Sequence, residues 1–208
     1  MLRLTLYTLS VSIHTIQSNR KMEKRNTVFI ATSLDGFIAD KNGGIDWLDL
    51  IPIPDNIDIG YDEFTSQIDA LVMGRITFET VCGFDIDWPY QKPVFVISNT
   101  LEEIPKKFTN KAHLVKGSLT DVLRQIHRRG YSRLYIDGGI TIQSFLKEDL
   151  IDEMIITIIP ILLGSGSPLF SYLPKELEFE CTRSEVYLNK IVQNHFRRIK
   201  NSTNANTT

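Results

Sequence analysis

Cysteine is nearly absent: the 208 residues include two, Cys82 and Cys181, and they form no CxxC. That excludes a disulfide framework and a cysteine-rich zinc site, and makes a reducing compartment, the cytoplasm, the expectation. Histidine is scarce as well. His14, His113, His127 and His195 show neither HExxH nor HxH spacing, so no metal site is expected. An excess of charge is lacking, since 23 Lys+Arg against 25 Asp+Glu leave a net charge of −2. Without a basic surface there is no electrostatic footprint for nucleic acid or an anionic membrane, and neither is expected as a partner. No apolar stretch approaches the roughly 20 residues that a transmembrane helix needs. A Walker lysine motif and a G-x-S-x-G elbow are missing too, which disfavours ATP hydrolysis and an α/β-hydrolase nucleophile.

Acid is missing from residues 1–21, which hold Arg3, Arg20 and Lys21; the remainder carries 20 basic and 25 acidic residues. Thr5, Thr8, Ser10 and Ser12 interrupt the apolar run of this segment, and no A-x-A-like site follows, which argues against a secretory signal. An organellar presequence fits less well than a dispensable extension ahead of Met22. Residues 1–26 are therefore read as a basic, disordered extension and 201–208 as a frayed polar tail. Between 27 and 200 there is no linker, repeat or low-complexity segment, so one domain is expected there.

What is present alternates between strand and helix. Val28–Ser33, Ala70–Met73, Val94–Ile97, His113–Val115 and Leu134–Ile136 read as short apolar strands. Tyr61–Ile68 and Thr77–Val81 read as short helices, and a further helix runs from Gly138-Gly139 through Leu146. Ser118–Arg129 is the clearest helix: Ser118 caps it, Leu119, Val122, Leu123 and Ile126 form its apolar stripe, and Gly130 ends it. Ile151–Leu163 reads as one long central strand. Phe179–Leu188 and Ile191–Ile199 read as a hairpin around Asn189-Lys190. The fold class is α/β: a mixed sheet, mostly parallel with an antiparallel C-terminal hairpin, flanked by helices.

In such a sheet, ligands gather beyond the carboxyl ends of the strands. Glycine-bearing junctions stand there at Gly74-Arg75-Ile76-Thr77, Gly138-Gly139 and Gly164-Ser165-Gly166. Gly74 lets the backbone approach a ligand, the following helix start favours an anion, and Arg75 offers a planar donor fork. A plain cap beside a solvated arginine is the alternative. Gly138-Gly139 can likewise bring a helix start against a pyrophosphate, or simply form a tight turn.

Four segments in this order resemble the dihydrofolate-reductase-like superfamily. They are Ser33-Leu34-Asp35-Gly36-Phe37-Ile38-Ala39, Met73-Gly74-Arg75-Ile76-Thr77-Phe78-Glu79, Asp137-Gly138-Gly139, and the stretch from Pro160 to Phe170 that contains Leu163-Gly164-Ser165-Gly166-Ser167-Pro168. The chain is most similar to the reductase domain of bifunctional riboflavin-biosynthesis deaminase/reductases and its stand-alone bacterial relatives. The resemblance spans about Thr27 to Lys200. It implies a homodimeric reductase that uses NADPH to deliver a hydride to a small heterocyclic or carbonyl-type substrate. Carried over by position, Gly74, Arg75 and Thr77 hold cofactor phosphates. Ser98 and Asn99 lie along the adenosine half, and Gly138, Gly139, Ile140 and Thr141 meet the pyrophosphate. Thr32 and Ile38 flank the nicotinamide. On the substrate side it points to Asp62, Trp47 and Thr157 as catalytic residues. An acid in a first helical turn, a core tryptophan and a buried strand threonine are their ordinary alternatives.

The accompanying deaminase signature, H-x-E with P-C-x-x-C, is absent, and no basic cluster suited to a ribosylphosphate is evident. The readings left open are 5-amino-6-(5-phosphoribosylamino)uracil reductase, dihydrofolate reductase and, from another class, a non-catalytic nucleotide-binding dimer. No carboxylate falls cleanly on a proton-donor position, so an ordered water is the expected donor.

Overall fold

The structure is a computed structural model and describes residues 23–54 and 57–200. The expected disorder of residues 1–22 and of 201–208 falls outside the described residues. Strands are β1 (Arg25–Ser33), β2 (Phe37–Ala39), β3 (Ala70–Gly74), β4 (Val94–Ile97), β5 (Ala112–Val115), β6 (Arg133–Asp137), β7 (Glu153–Ile159), β8 (Ser167–Pro168), β9 (Phe179–Tyr187) and β10 (Ile191–Arg198). Helices are α1 (Tyr61–Ser66), α2 (Arg75–Cys82), α3 (Leu119–Arg128) and α4 (Gly139–Lys147). Arg25 and Asn26, expected to belong to the basic extension, instead begin β1, where they pair with Arg133 and Leu134.

Eight strands form one sheet in the order β5-β4-β3-β6-β1-β7-β10-β9. From β5 to β7 every pairing is parallel, and β10 and β9 add antiparallel pairings at the end. The parallel strands are short and apolar because helices cover both sheet faces. On one face Val122 and Ile126 of α3, with Ile142 and Phe145 of α4, pack on Val28, Val72, Phe95, Leu134 and Ile136. On the other, Phe64 of α1 and Phe78 of α2 pack on Phe29, Leu71, Met73, Val94 and Val96. Ser118 caps α3 as expected, its hydroxyl accepting from Asp121 N–H at 3.2 Å.

Two elements depart from the sequence reading. The apolar run 151–163 is a strand only over Glu153–Ile159. Pro160 cannot donate to a ladder, the chain turns with Ile161 N–H on Ile159 C=O (2.8 Å), and the apolar residues beyond it line a loop. That loop leads to β8, which pairs with β2 in a separate two-stranded sheet. Strands of two and three residues leave no periodicity to read.

The pairing of β1 opens the sheet at one edge. β1 pairs with β7 along seven residues up to Ser33, but with β6 only through Arg25, Asn26 and Thr27. β6 instead stays with β3 up to Asp137. The sheet therefore parts between β1 and β6, and a cleft opens there at the carboxyl edge. Where the ladder stops, the Tyr135 hydroxyl donates to Phe29 C=O at 2.8 Å and satisfies a buried acceptor that the parted strands cannot.

The closed end of the sheet is held by Asp69. Its carboxylate accepts from Ser132 N–H (2.9 Å), Arg133 N–H (2.8 Å) and the Arg133 guanidinium (2.8 and 3.2 Å). Burial pushes this carboxyl up, yet the arginine and the two backbone donors outweigh it and hold the group below its ordinary value. Asp69→Ala is expected to cost about 2–3 kcal/mol, because charge-assisted donors lose their acceptor. A depressed folded value places that stabilisation above the ordinary carboxylate pKa of about 4, and it fades as pH falls through the lower folded value. Thermal unfolding of both proteins between neutral pH and pH 3 would show the gap between them closing on the acid side.

Candidate active site

At the carboxyl edge the starts of α2 and α4 face each other across two glycine turns. A Cβ on Gly74 would lie 2.8 Å from Thr141 Oγ1, and one on Gly139 would lie 2.6 Å from Ile38 Cδ1. A Cβ on Gly138 would run into Thr77 Oγ1, and Gly138 also has φ +88°, a conformation that L side chains rarely adopt. Gly74, Thr77, Gly138, Gly139, Thr141 and Ile38 thus lie together in one constellation. Two helix N-termini with free N–H groups converge here, which suits an extended anion with two phosphates. Arg75 stands at the α2 start with its side chain 47% exposed, loosely paired with Glu79 at 3.7 Å. Ile140 projects into solvent from the first turn of α4. Thr32 is buried near the end of β1, paired with Ile158 of β7.

Ser98 and Asn99 do follow β4, but their polar atoms are engaged. Ser98 Oγ accepts from Leu101 N–H (2.9 Å) and Thr100 N–H (3.2 Å), and Asn99 Oδ1 accepts from Gly117 N–H (3.0 Å). They shape the loop wall rather than offer free acceptors.

The three substrate-side residues are less well gathered. Asp62 is exposed in the first turn of α1. Thr157 is 2% exposed, and its hydroxyl accepts from Gln193 Nε2 (3.0 Å), which also donates to Ile59 C=O (2.9 Å). Its oxygen is therefore committed to tying β7 and β10 to the segment before α1. Trp47 lies in a 3-10 turn, Asp46–Leu50, and packs with Ile51, Ile159 and Ile191. Its ring is buried, and its Nε1–H has no hydrogen-bond partner among the described residues. A buried donor left open in this way is a group to which a substrate acceptor or a water could bind.

The structure offers an acid that the sequence reading passed over. Asp137 is the last residue of β6, beside the cleft and directly before the glycine turn. Dense protein surroundings push its carboxyl up to about 6, opposed only by the N–H of Gly138, 2.8 Å from Oδ1. Its charge in turn helps raise the phenols of Tyr61, Tyr90 and Tyr135, each of which burial raises most. A carboxyl poised near neutrality at the mouth of a cleft can hold a proton and release it. It is a second candidate donor beside the expected ordered water. The signal available in the sequence was an acid ending an apolar strand.

A separate cavity of about 300 Å³ lies between α1 and the strands β1, β7, β9 and β10. Arg25, Glu63, Glu153, Arg183, Gln193 and His195 are among its lining residues, and none of the expected site residues lines it. The glycine-turn constellation lies at the carboxyl edge of the sheet, apart from this chamber.

The comparisons with known proteins agree with this geometry. The family model of the RibD C-terminal domain matches residues 26–193. The chain belongs to the RibD C-terminal domain family. A crystal structure of a candidate riboflavin biosynthesis protein from Shewanella sp. PV-4 is 53% identical, with a TM-score of 0.82, covering 85% of this chain and 99% of that one. YwjB of Bacillus subtilis, described as uncharacterized, is 36% identical over 179 residues, 85% of this chain and 99% of its own. The fold extends to dihydrofolate reductase: the Enterococcus faecalis enzyme, solved with NADP(H), gives a TM-score of 0.58 at 16% identity over 85% of this chain and 97% of that one. Membership of the RibD C-terminal family places the chain among riboflavin-pathway reductase-type domains on a dihydrofolate-reductase-like fold. Among the described residues no helix is long and apolar enough to cross a membrane.

Proposed function

We propose that this RibD C-terminal domain protein is an NADPH-dependent reductase of a small heterocyclic or carbonyl-type substrate, most like 5-amino-6-(5-phosphoribosylamino)uracil reductase. The observation that carries the reading is the pair of helix starts, α2 and α4, brought together by glycines whose missing Cβ atoms leave a cradle at the mouth of the β1–β6 cleft. Gly74, Arg75 and Thr77 would hold phosphate oxygens, and Gly138, Gly139, Ile140 and Thr141 the pyrophosphate. The loop of Ser98 and Asn99 would border the adenosine half. Thr32 and Ile38 would confine the nicotinamide at the cleft. Bound there, NADPH supplies the hydride. The protein's own part is to hold the substrate against that ring, keep water out, and deliver a proton from Asp137. Tyr61 and Tyr90, near enough to feel the charge of Asp137, would wall the substrate side.

Homodimerisation belongs to the same proposal. β9 is one of the two edge strands and leaves Cys181, Thr182, Arg183, Ser184 and Val186 exposed, a surface that a second copy could cover.

The test is to titrate the purified protein with NADPH and NADH, then follow loss of the reduced nicotinamide with the aminouracil substrate and with dihydrofolate. NADPH is expected to bind more tightly than NADH and to be oxidised in the presence of the aminouracil. Methotrexate-sensitive oxidation with dihydrofolate would move the reading to dihydrofolate reductase. Binding without oxidation of either substrate would favour the non-catalytic nucleotide-binding dimer. Failure to bind either nucleotide would defeat both.

A further inference from the structure

The flap made by β2 and β8 sits over the start of α4, and a carboxylate is among its fastenings. Ser33, 1% exposed at the end of β1, accepts from Phe37 N–H through Oγ (2.9 Å) and donates to Asp35 Oδ1 (2.6 Å). The same Asp35 reaches across to the loop after β7. Its Oδ1 accepts from Leu163 N–H (3.1 Å) and its Oδ2 from Gly164 N–H (2.8 Å). Two segments nearly 130 residues apart, the β1–β2 turn and the β7–β8 loop, are thereby joined through this side chain, beside one backbone bond from Leu34 N–H to Ile161 C=O (2.8 Å). The Ser33 hydroxyl and those two N–H groups hold the carboxyl below its ordinary value despite some desolvation, so it is ionised at neutral pH.

The flap has further anchors beside this one. Leu169 is fully buried in the core, its N–H donates to Gly36 C=O (2.9 Å), and Gln143 Nε2 of α4 donates to Pro168 C=O (2.8 Å). Just beyond these anchors, within β2, lies Ile38, whose Cδ1 occupies the space beside Gly139. Ile38 can keep that place only while β2 stays down on β8.

Resting on the reductase reading above, we infer that Asp35 is a positioning residue: it clasps the β2/β8 flap shut and so sets Ile38 against the cofactor. Asp35 itself touches no reacting atom. Its effect should therefore appear in cofactor affinity and in the local opening of the flap. Global stability should move little, since Asp35 is exposed and Leu169 holds the flap to the core.

The experiment compares wild type, Asp35→Ala and Asp35→Asn, with Asp40→Asn as a control. Asp40 is a loop acid that binds only its own loop, at Asn42 and Gly44 N–H. Circular dichroism confirms folding, NADPH titration gives Kd, and amide hydrogen exchange reads residues 33–40 and 161–170. Both Asp35 variants are expected to raise the Kd for NADPH by about tenfold, as loss of a few charge-assisted hydrogen bonds lets the flap open. Exchange should rise in those two segments alone, and Asp40→Asn should match wild type in both readouts. Asp35→Asn leaves one acceptor oxygen and sets an amide donor against an N–H, so it should not rescue. Unchanged exchange in Asp35→Ala would show that the carboxylate is not the clasp. Faster exchange with wild-type Kd would show that the flap does not position the cofactor. Wild type that binds no NADPH would instead defeat the reductase reading, while the exchange data would still score the clasp.

Discussion

Gly138→Ala should weaken NADPH binding by about a hundredfold or more, equivalent to roughly 2.7 kcal/mol, and lower the unfolding temperature as well. Two separate penalties meet at this residue. Its φ of +88° is one that alanine adopts only under strain, worth about 1–3 kcal/mol. Its new methyl would also overlap the Thr77 hydroxyl, and overpacking of this kind costs about 1–3 kcal/mol. Relief of the overlap must push Thr77 away from Gly138, which parts the two helix starts proposed to cradle the cofactor's phosphates. The double variant Gly138→Ala/Thr77→Ala separates the two penalties. It should recover the stability lost to overlap but not that lost to φ, and it should not recover binding, because Thr77 belongs to the cradle. Isothermal titration with NADPH and thermal unfolding of wild type and the two variants would measure both effects. Near wild-type affinity in Gly138→Ala would mean that the cofactor does not use this turn.

The parts of the fold that were legible in the sequence are those whose signals are local. Ala70–Met73 and Val94–Ile97 are apolar because helices cover both their faces, and a short unbroken apolar run suits a strand buried on both sides. α3 announces itself through its Ser118 cap, and Gly74 and Gly138-Gly139 through the turns they make. What was not legible depends on partners distant in the chain. The apolar run past Pro160 looked like more strand because Ile161 and Leu163, half-buried in a loop, and exposed Leu162 are the residue types that a sheet also selects. β2 and β8 exist because they pair with each other, not because either has a strand pattern. Thr157 could be read as a substrate-side residue or a buried strand threonine, and only the fold brings Gln193 to its hydroxyl. Asp137 stood in a recognisable motif with no role of its own. Its chemistry arises from burial near the phenols of Tyr61, Tyr90 and Tyr135 and from the parting of β1 and β6, and neither can be seen along the chain.

Because burial sets its chemistry, replacement of Asp137 by Asn should make the enzyme slower and the protein more stable. The carboxyl rises from 3.8 to about 6 on folding, chiefly through burial. Between those values the native state binds more protons than the unfolded state, so this residue's contribution to stability falls as pH rises through the window and is most unfavourable above about 6. At neutral pH wild type carries the full cost of a poorly solvated charge, at most about 3 kcal/mol at 1.36 kcal/mol per pKa unit. Asparagine is never charged and keeps an oxygen for Gly138 N–H, so Asp137→Asn should unfold at a higher temperature at neutral pH. The advantage should shrink toward pH 4, where wild type is protonated too. Turnover should move the other way, by about a hundredfold or more, since a positioned general acid contributes on that scale. The kcat/KM of wild type should fall as pH rises above about 6, because the protonated acid is then depleted, and the variant should lack that limb. NADPH affinity should stay close to wild type, which separates a lost proton from a lost cofactor. A variant that is both less stable and equally active would return the proton to solvent and leave Asp137 a structural acid.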